Sequence, residues 1–233
     1  QAWRVWGWLV AGAAALATTA ASGLAADLRP RAVGFHLLAV AVAWLAFGAW
    51  LRRRRGAAGR ETEASAVEVG AHVGALVALL FTVGSIGHAA TVCTVWGVAV
   101  GLRALVPGTS RPARAALAAG AAAWELLAWW LLLADRGVTQ IEAYTLPLAG
   151  VALLAGWAAL RARPDLRSWV AYGPALCAAF LPSLAIVLVS GATVGFPWRR
   201  LLLGAGALLV VIAGSVRRRQ APVVVGGLVL AFV

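Results

Sequence analysis

Methionine and lysine are absent from this 233-residue sequence, cysteine occurs twice, and only eight residues are acidic. Each scarcity excludes something. Cys93 and Cys177 lie inside apolar runs and form neither a CxxC motif nor a Cys/His cluster. That argues against a zinc site and a disulfide, and each thiol reads as a small buried hydrophobe. Charged residues make up 12% of the chain, against about 25% in soluble domains, so an ordinary soluble surface is not available. The chain starts at Gln1 without methionine and stops inside the apolar run APVVVGGLVLAFV. The expectation is a fragment of a longer protein, cut at both ends. Abundant Ala, Gly, Arg and Pro with no lysine suggests a high-GC bacterium.

What is present is hydrocarbon. The chain is 63% hydrophobic with a mean hydropathy of +0.89. Apolar stretches of membrane-spanning length recur throughout, each too long for a barrel strand and without period-two alternation. The sequence therefore predicts an all-α, polytopic transmembrane helix bundle. Eight full spans are expected at about 5–26, 32–51, 67–85, 88–106, 115–134, 143–161, 169–190 and 199–216, with a ninth starting at 221. The whole chain reads as a single transmembrane region, with a solvated cytoplasmic linker at about 52–66 around RETEAS. The first span has signal-peptide features, with Arg4 ahead of it and SGLAAD after it, but the spans that follow favour a membrane helix.

A net charge of +12 does not signal nucleic acid here. Every basic residue is an arginine, and the arginines cluster between apolar runs, where the positive-inside bias places them. They also settle a doubtful division. Residues 67–106 read either as one long span or as a tight hairpin around GSIGH (84–88). With the hairpin, fifteen arginines fall on one side of the membrane and five on the other; without it the split is nine to eleven. The bias thus supports the hairpin and a cytoplasmic N-terminus. A weak repeat accompanies it. Gly48, Gly101, Gly156 and Gly214 each precede an arginine cluster, at spacings of 53, 55 and 58, suggesting a two-helix hairpin repeat of about 55 residues. Parallel repeats of this kind occur in transporters, and any chain of short-looped spans gives a similar period.

Four residues are candidates for an intramembrane proton or substrate site: Glu125, Ser183, Glu142 and Tyr144. Glu125 lies at the centre of span five on a face shared with Ala118, Ala121, Ala122, Ala128, Trp129 and Leu132. Small faces pack against other helices, so the carboxyl is expected to point into the bundle, in its neutral form. Span seven offers acceptors at similar depth. Pro182 cannot bond the carbonyl of Ala178, and Ser183 is adjacent. The competing reading is a structural hydrogen bond between two helices. In QIEAYTLPLAG (140–150), Glu142 suits a helix N-terminus, Tyr144 an interfacial belt, and Pro147 a first helical turn.

His36, His72 and His88 show no metal-ligand spacing and read as polar interface contacts. Most of the twelve tryptophans, including Trp3, Trp50, Trp169 and Trp198, lie near span ends. Trp124, Trp129 and Trp130 are deeper and read as packing. No nucleotide, serine-hydrolase or zinc-protease motif is present, so neither an enzyme nor a cofactor is expected.

Three runs carry a resemblance: ELLAWWLLLADRGVTQIEAYTLPLAGVALLAG, SWVAYGPALCAAFLPSLAIVLV and RRLLLGAGALLVVIAGSVRRRQAPVVVGGLVLAF. With their phrases EAYTLP, FLPSL and RRQAP, they resemble the large multi-spanning actinobacterial membrane proteins labelled permease-like or of unknown function. The resemblance covers about residues 65–233 and implies further spans. It supplies no substrate, cofactor or catalytic residue. The expectation is an integral protein of the bacterial cell membrane, partnered by the lipid bilayer and further spans of its own chain, and of transport type. The alternative is a non-catalytic scaffold that organises envelope machinery.

Overall fold

A computed structural model describes residues 2–54, 60–190 and 197–233, and these form nine α-helices. They are α1 (Ala2–Ala25), α2 (Pro30–Arg53), α3 (Arg60–Leu80), α4 (Ile86–Ala104), α5 (Arg111–Asp135), α6 (Ile141–Ala162), α7 (Ser168–Ser190), α8 (Pro197–Val216) and α9 (Gln220–Phe232). Among the described residues there is no strand, and the first eight helices are long and apolar enough to cross a membrane. Large apolar side chains are exposed on every helix; Val170 is 68% accessible and Leu154 67%. Surfaces of this kind are stable against lipid, not water. The chain is a multi-pass integral membrane protein.

Helix ends follow local chemistry. Pro30 and Pro112 sit in the first turns of α2 and α5, where a missing N–H costs nothing. Ser110 caps α5 by accepting from the Ala113 N–H. The α3–α4 turn occupies residues 81–85, with Gly84 at φ +92°, so residues 67–106 do form a hairpin. The expected linker at 52–66 is shorter than its composition suggested. Residues 60–66 are the first turns of α3, with Ala64 and Ala66 buried; residues 55–59 lie outside the described residues. Glu61 and Glu63 favour the start of a helix through its dipole, although they lower hydropathy.

The described residues fall into two compact units, Gln1–Gly137 and Val138–Val233. In the first, α2 pairs with α3 and α4 with α5, while α1 packs on α2 and α3. Its core joins Val33, Leu37 and Ala41 of α2 to Ala71, Ala75 and Ala78 of α3 and to Val92, Trp96 and Val100 of α4. The alanine stripe of α3 lets backbones approach closely, the usual means of helix association where lipid removes a hydrophobic drive. In the second unit α6 pairs with α7 and α8 with α9, and α7 also packs on α9. Leu176, Phe180, Leu184 and Val187 of α7 form one helical stripe against Leu203 and Ala207 of α8 and Val225 and Val229 of α9.

The repeated glycines mark these pairings. A Cβ on Gly48 would stand 2.8 Å from Glu68 of α3, and one on Gly214 would stand 2.8 Å from Pro222 of α9. One on Gly156 would stand 1.9 Å from the Ala171 carbonyl of α7, and one on Gly101 3.7 Å from Ala121 of α5. The repeat suggested two-helix hairpins, each ending at an arginine cluster. The closest pairs are instead the helices joined through the arginine clusters. Each repeated glycine touches the next helix in the chain.

Candidate functional site

Glu125 points into the first unit. Its side chain crosses from α5 to α4 and rests against Gly97, where an added Cβ would stand 2.6 Å from Oε1. Ala121 and Ala128, one turn on either side, are buried on the same face. Glu125 Oε1 is buried and has no hydrogen-bond partner among the described residues. Beside Gly97, the fully buried Trp96 also has an unpartnered ring N–H. The His72 ring of α3 meets the Trp96 ring edge-on, with centroids 5.3 Å apart. Cys93, wholly buried, lies one turn before Gly97 on α4. Three helices therefore bring a carboxyl, an indole N–H, an imidazole and a thiol into the interior of one unit. A buried carboxyl oxygen without a partner is costly to keep, and within a span such groups mark ion or substrate sites.

Ser183 does not serve Glu125. Its hydroxyl donates to Glu142 Oε1 at 3.1 Å, within the second unit. Arg199 of α8 clasps the same carboxylate, with Nε 2.9 Å from Oε1 and Nη2 3.1 Å from Oε2. This bidentate fork is the strong form of the ion pair. The reason lies in helix polarity: Glu142 begins α6, Arg199 begins α8, and Ser183 lies in the later half of α7, so all three meet at one end of the unit. The Tyr144 hydroxyl donates to the Val138 carbonyl at 2.9 Å. Of the four sequence candidates, the structure joins Glu142 to Ser183; Glu125 belongs to the other unit. α7 runs through Pro174 and Pro182 as one continuous helix.

Sequence reasoning missed Glu68. Its Oε1 accepts from Arg103 Nε at 2.8 Å and from Arg52 Nε at 3.0 Å, and its Oε2 accepts from Arg52 Nη2 at 3.0 Å. Arg52 also donates to Ser65, and Arg103 donates to Thr109 at 2.9 Å. Arg103 is only 5% accessible. Gly48 leaves the room for Glu68 to lie between α2 and α4. The available signal was opposite charge at the same end of neighbouring spans: Glu68 near the start of α3, with Arg52 and Arg103 near the ends of α2 and α4.

The histidines have local partners. His36 Nδ1 lies 2.8 Å from the Ala32 carbonyl, and His88 pairs with Ser85. Among the described residues no His, Cys, Asp and Glu side chains group as a metal site. Comparisons with protein-family models, with curated proteins and with solved structures find no match to this chain.

Proposed function

We propose that this chain is part of a transport-type, permease-like protein of a bacterial cell membrane, its N-terminus in the cytoplasm, and that Glu125 is its proton- or substrate-binding carboxyl. The observation that carries this reading is the unpartnered, buried Oε1 of Glu125. Glu68 and Glu142, by contrast, are saturated by arginine and act as ties between helices. A carboxyl that does no tying and is set against a glycine is free to exchange its proton. The resemblance to multi-spanning actinobacterial proteins supports a larger chain of this type.

The test is proton flux through the full-length protein in sealed vesicles, driven by a pH gradient and read with an entrapped dye. Glu125→Gln keeps the shape of the side chain and its capacity to donate a hydrogen bond. It is expected to abolish flux and leave thermal unfolding unchanged. Undiminished flux in Glu125→Gln defeats the assignment. The scaffold alternative draws on the two arginine-saturated carboxylates, which clamp helix ends as a rigid platform would require. It gains if wild type and variant carry no flux and unfold alike.

A further inference from the structure

The second unit contains an open groove of about 400 Å³ at the end where α6 and α8 finish and α7 and α9 begin. That is the size range of small-molecule sites. Leu153 and Leu154 of α6, Leu176 of α7 and Val210 of α8 make its walls apolar. Arg217 and Arg219 close one end, immediately past the last residue of α8. Val210 lies seven residues before Arg217, so the apolar part reaches roughly 10 Å into the membrane from the arginines.

The charge at this end is unbalanced. The acidic residues of the unit are Glu142, held by Arg199, and Asp165, exposed in the α6–α7 turn. Among the described residues no carboxylate pairs with Arg217 or Arg219. A third guanidinium, Arg161, stacks 3.8 Å above the Trp157 ring, and Trp157 lines the groove. The turn that presents the arginines is closed by hydrogen bonds. The Arg219 N–H bonds the Gly214 carbonyl at 2.8 Å, and the Arg218 N–H bonds the Ser215 carbonyl at 3.1 Å. Arg218 itself adopts φ +50° at the position where helices usually end in glycine. The two groove arginines therefore flank a fixed turn.

We propose that this groove binds an anionic phospholipid, one acyl chain lying along the apolar walls and the phosphate held by Arg217 and Arg219. An apolar trough ending in unpaired guanidinium groups matches an amphiphile with a negative head. Basic pockets between spans bind anionic headgroups by this chemistry, and guanidinium suits phosphate bidentately. A neutral lipid would leave the two arginines uncompensated. A further helix packed in the groove would have to bring its own carboxylate. The site lies wholly in the second unit, and the proposal stands whether or not Glu125 carries protons.

The experiment is competition between phosphatidylglycerol and phosphatidylcholine for the full-length protein in detergent, with retained lipid read by native mass spectrometry. Wild type is expected to retain phosphatidylglycerol in preference. Neutralising both cations in Arg217→Gln/Arg219→Gln should lower that preference about ten- to thirty-fold, at roughly 1 kcal/mol per surface cation. Arg217→Lys/Arg219→Lys should restore most of it, which separates charge from misfolding. Leu154→Trp, at an exposed wall position, should block the chain and reduce retention of both lipids. Equal retention of the two lipids by wild type overturns the proposal, as does unchanged preference in the glutamine variant. Displacement of phosphatidylglycerol by inorganic phosphate would make the site one for a free anion. Unchanged retention in Leu154→Trp would place the lipid outside the groove.

Discussion

Gly97 of α4 and Glu125 of α5 are in such close contact that a methyl group on the first would overlap the carboxyl of the second, at 2.6 Å from Oε1 and 3.1 Å from Cδ. The carboxyl occupies the space that a side chain at position 97 would fill. Gly97→Ala should therefore cost about 1–3 kcal/mol, the usual penalty of overpacking. In a Glu125→Ala background the space is open. There the same change should cost nothing, or stabilise by up to about 1 kcal/mol through helix propensity. Thermal unfolding of the four proteins in one detergent gives the coupling. Equal cost in both backgrounds would separate the two residues.

The four periodic glycines should differ in cost although they share a sequence context. Gly156→Ala drives a methyl into the Ala171 backbone carbonyl, which cannot rotate away, and should cost at least about 3 kcal/mol. Gly48→Ala and Gly214→Ala meet side-chain atoms at 2.8 Å and should cost about 1–3 kcal/mol. Gly101→Ala meets only ordinary contact at 3.7 Å and should be neutral or mildly stabilising, as should Gly150→Ala, which faces open space. The unfolding midpoints should follow that order. A uniform cost would mean that the repeat reflects loop spacing, not helix approach.

Arg103 and Glu68 form the tie whose loss should be felt most. Arg103→Ala leaves Glu68 with Arg52 alone and removes a nearly inaccessible cation, at a cost of about 3 kcal/mol. Arg52→Ala should cost about 1 kcal/mol or less, because that side chain is 32% accessible and its charge is screened. Replacing both partners, as Arg103→Met with Glu68→Leu, should be gentler than Arg103→Ala, since no buried charge is left unpaired. If the double replacement unfolds first, the pair is worth more than its desolvation, contrary to this account.

The helices were legible because lipid demands a long apolar run for each one, and the α3–α4 hairpin was legible because arginines are sorted by membrane side. The start of α3 was not. Glu61, Glu63 and Glu68 lower hydropathy there, and what neutralises Glu68 lies 16 and 35 residues away, at Arg52 and Arg103. Distances along the chain of that size carry no periodic signal. Glu125 was found because a carboxylate among alanines and tryptophans stands out, and its inward direction followed from its alanine face. The partner expected for it, Ser183, donates to Glu142 instead, and depth along a span carries no information on that choice. Ser183 and Glu142 were both chosen, for separate reasons, and Arg199, which holds Glu142, was seen only as part of a charge count.

The side of the membrane on which each loop lies is the prediction that joins the arginine count to the fold. Arg4 of α1 lies 3.6 Å from Glu63 at the start of α3, and Arg52 and Arg103 meet Glu68 at the same end of the first unit. If the spans cross in turn, as the sequence predicts, fifteen of the twenty arginines fall on the membrane side of Arg4, Arg52 and Arg103. Cytoplasmic loops hold such an excess. A cysteine at the exposed Ser65 should therefore react with an impermeant maleimide only after the inner leaflet is breached. One at the exposed Gln140, at the start of α6, should react in intact cells. Both are placed in a chain whose Cys93 and Cys177 are replaced by alanine. Labelling of Ser65→Cys from outside would invert the orientation. Labelling of both from outside would mean that an odd number of the α3, α4 and α5 crossings is wrongly counted.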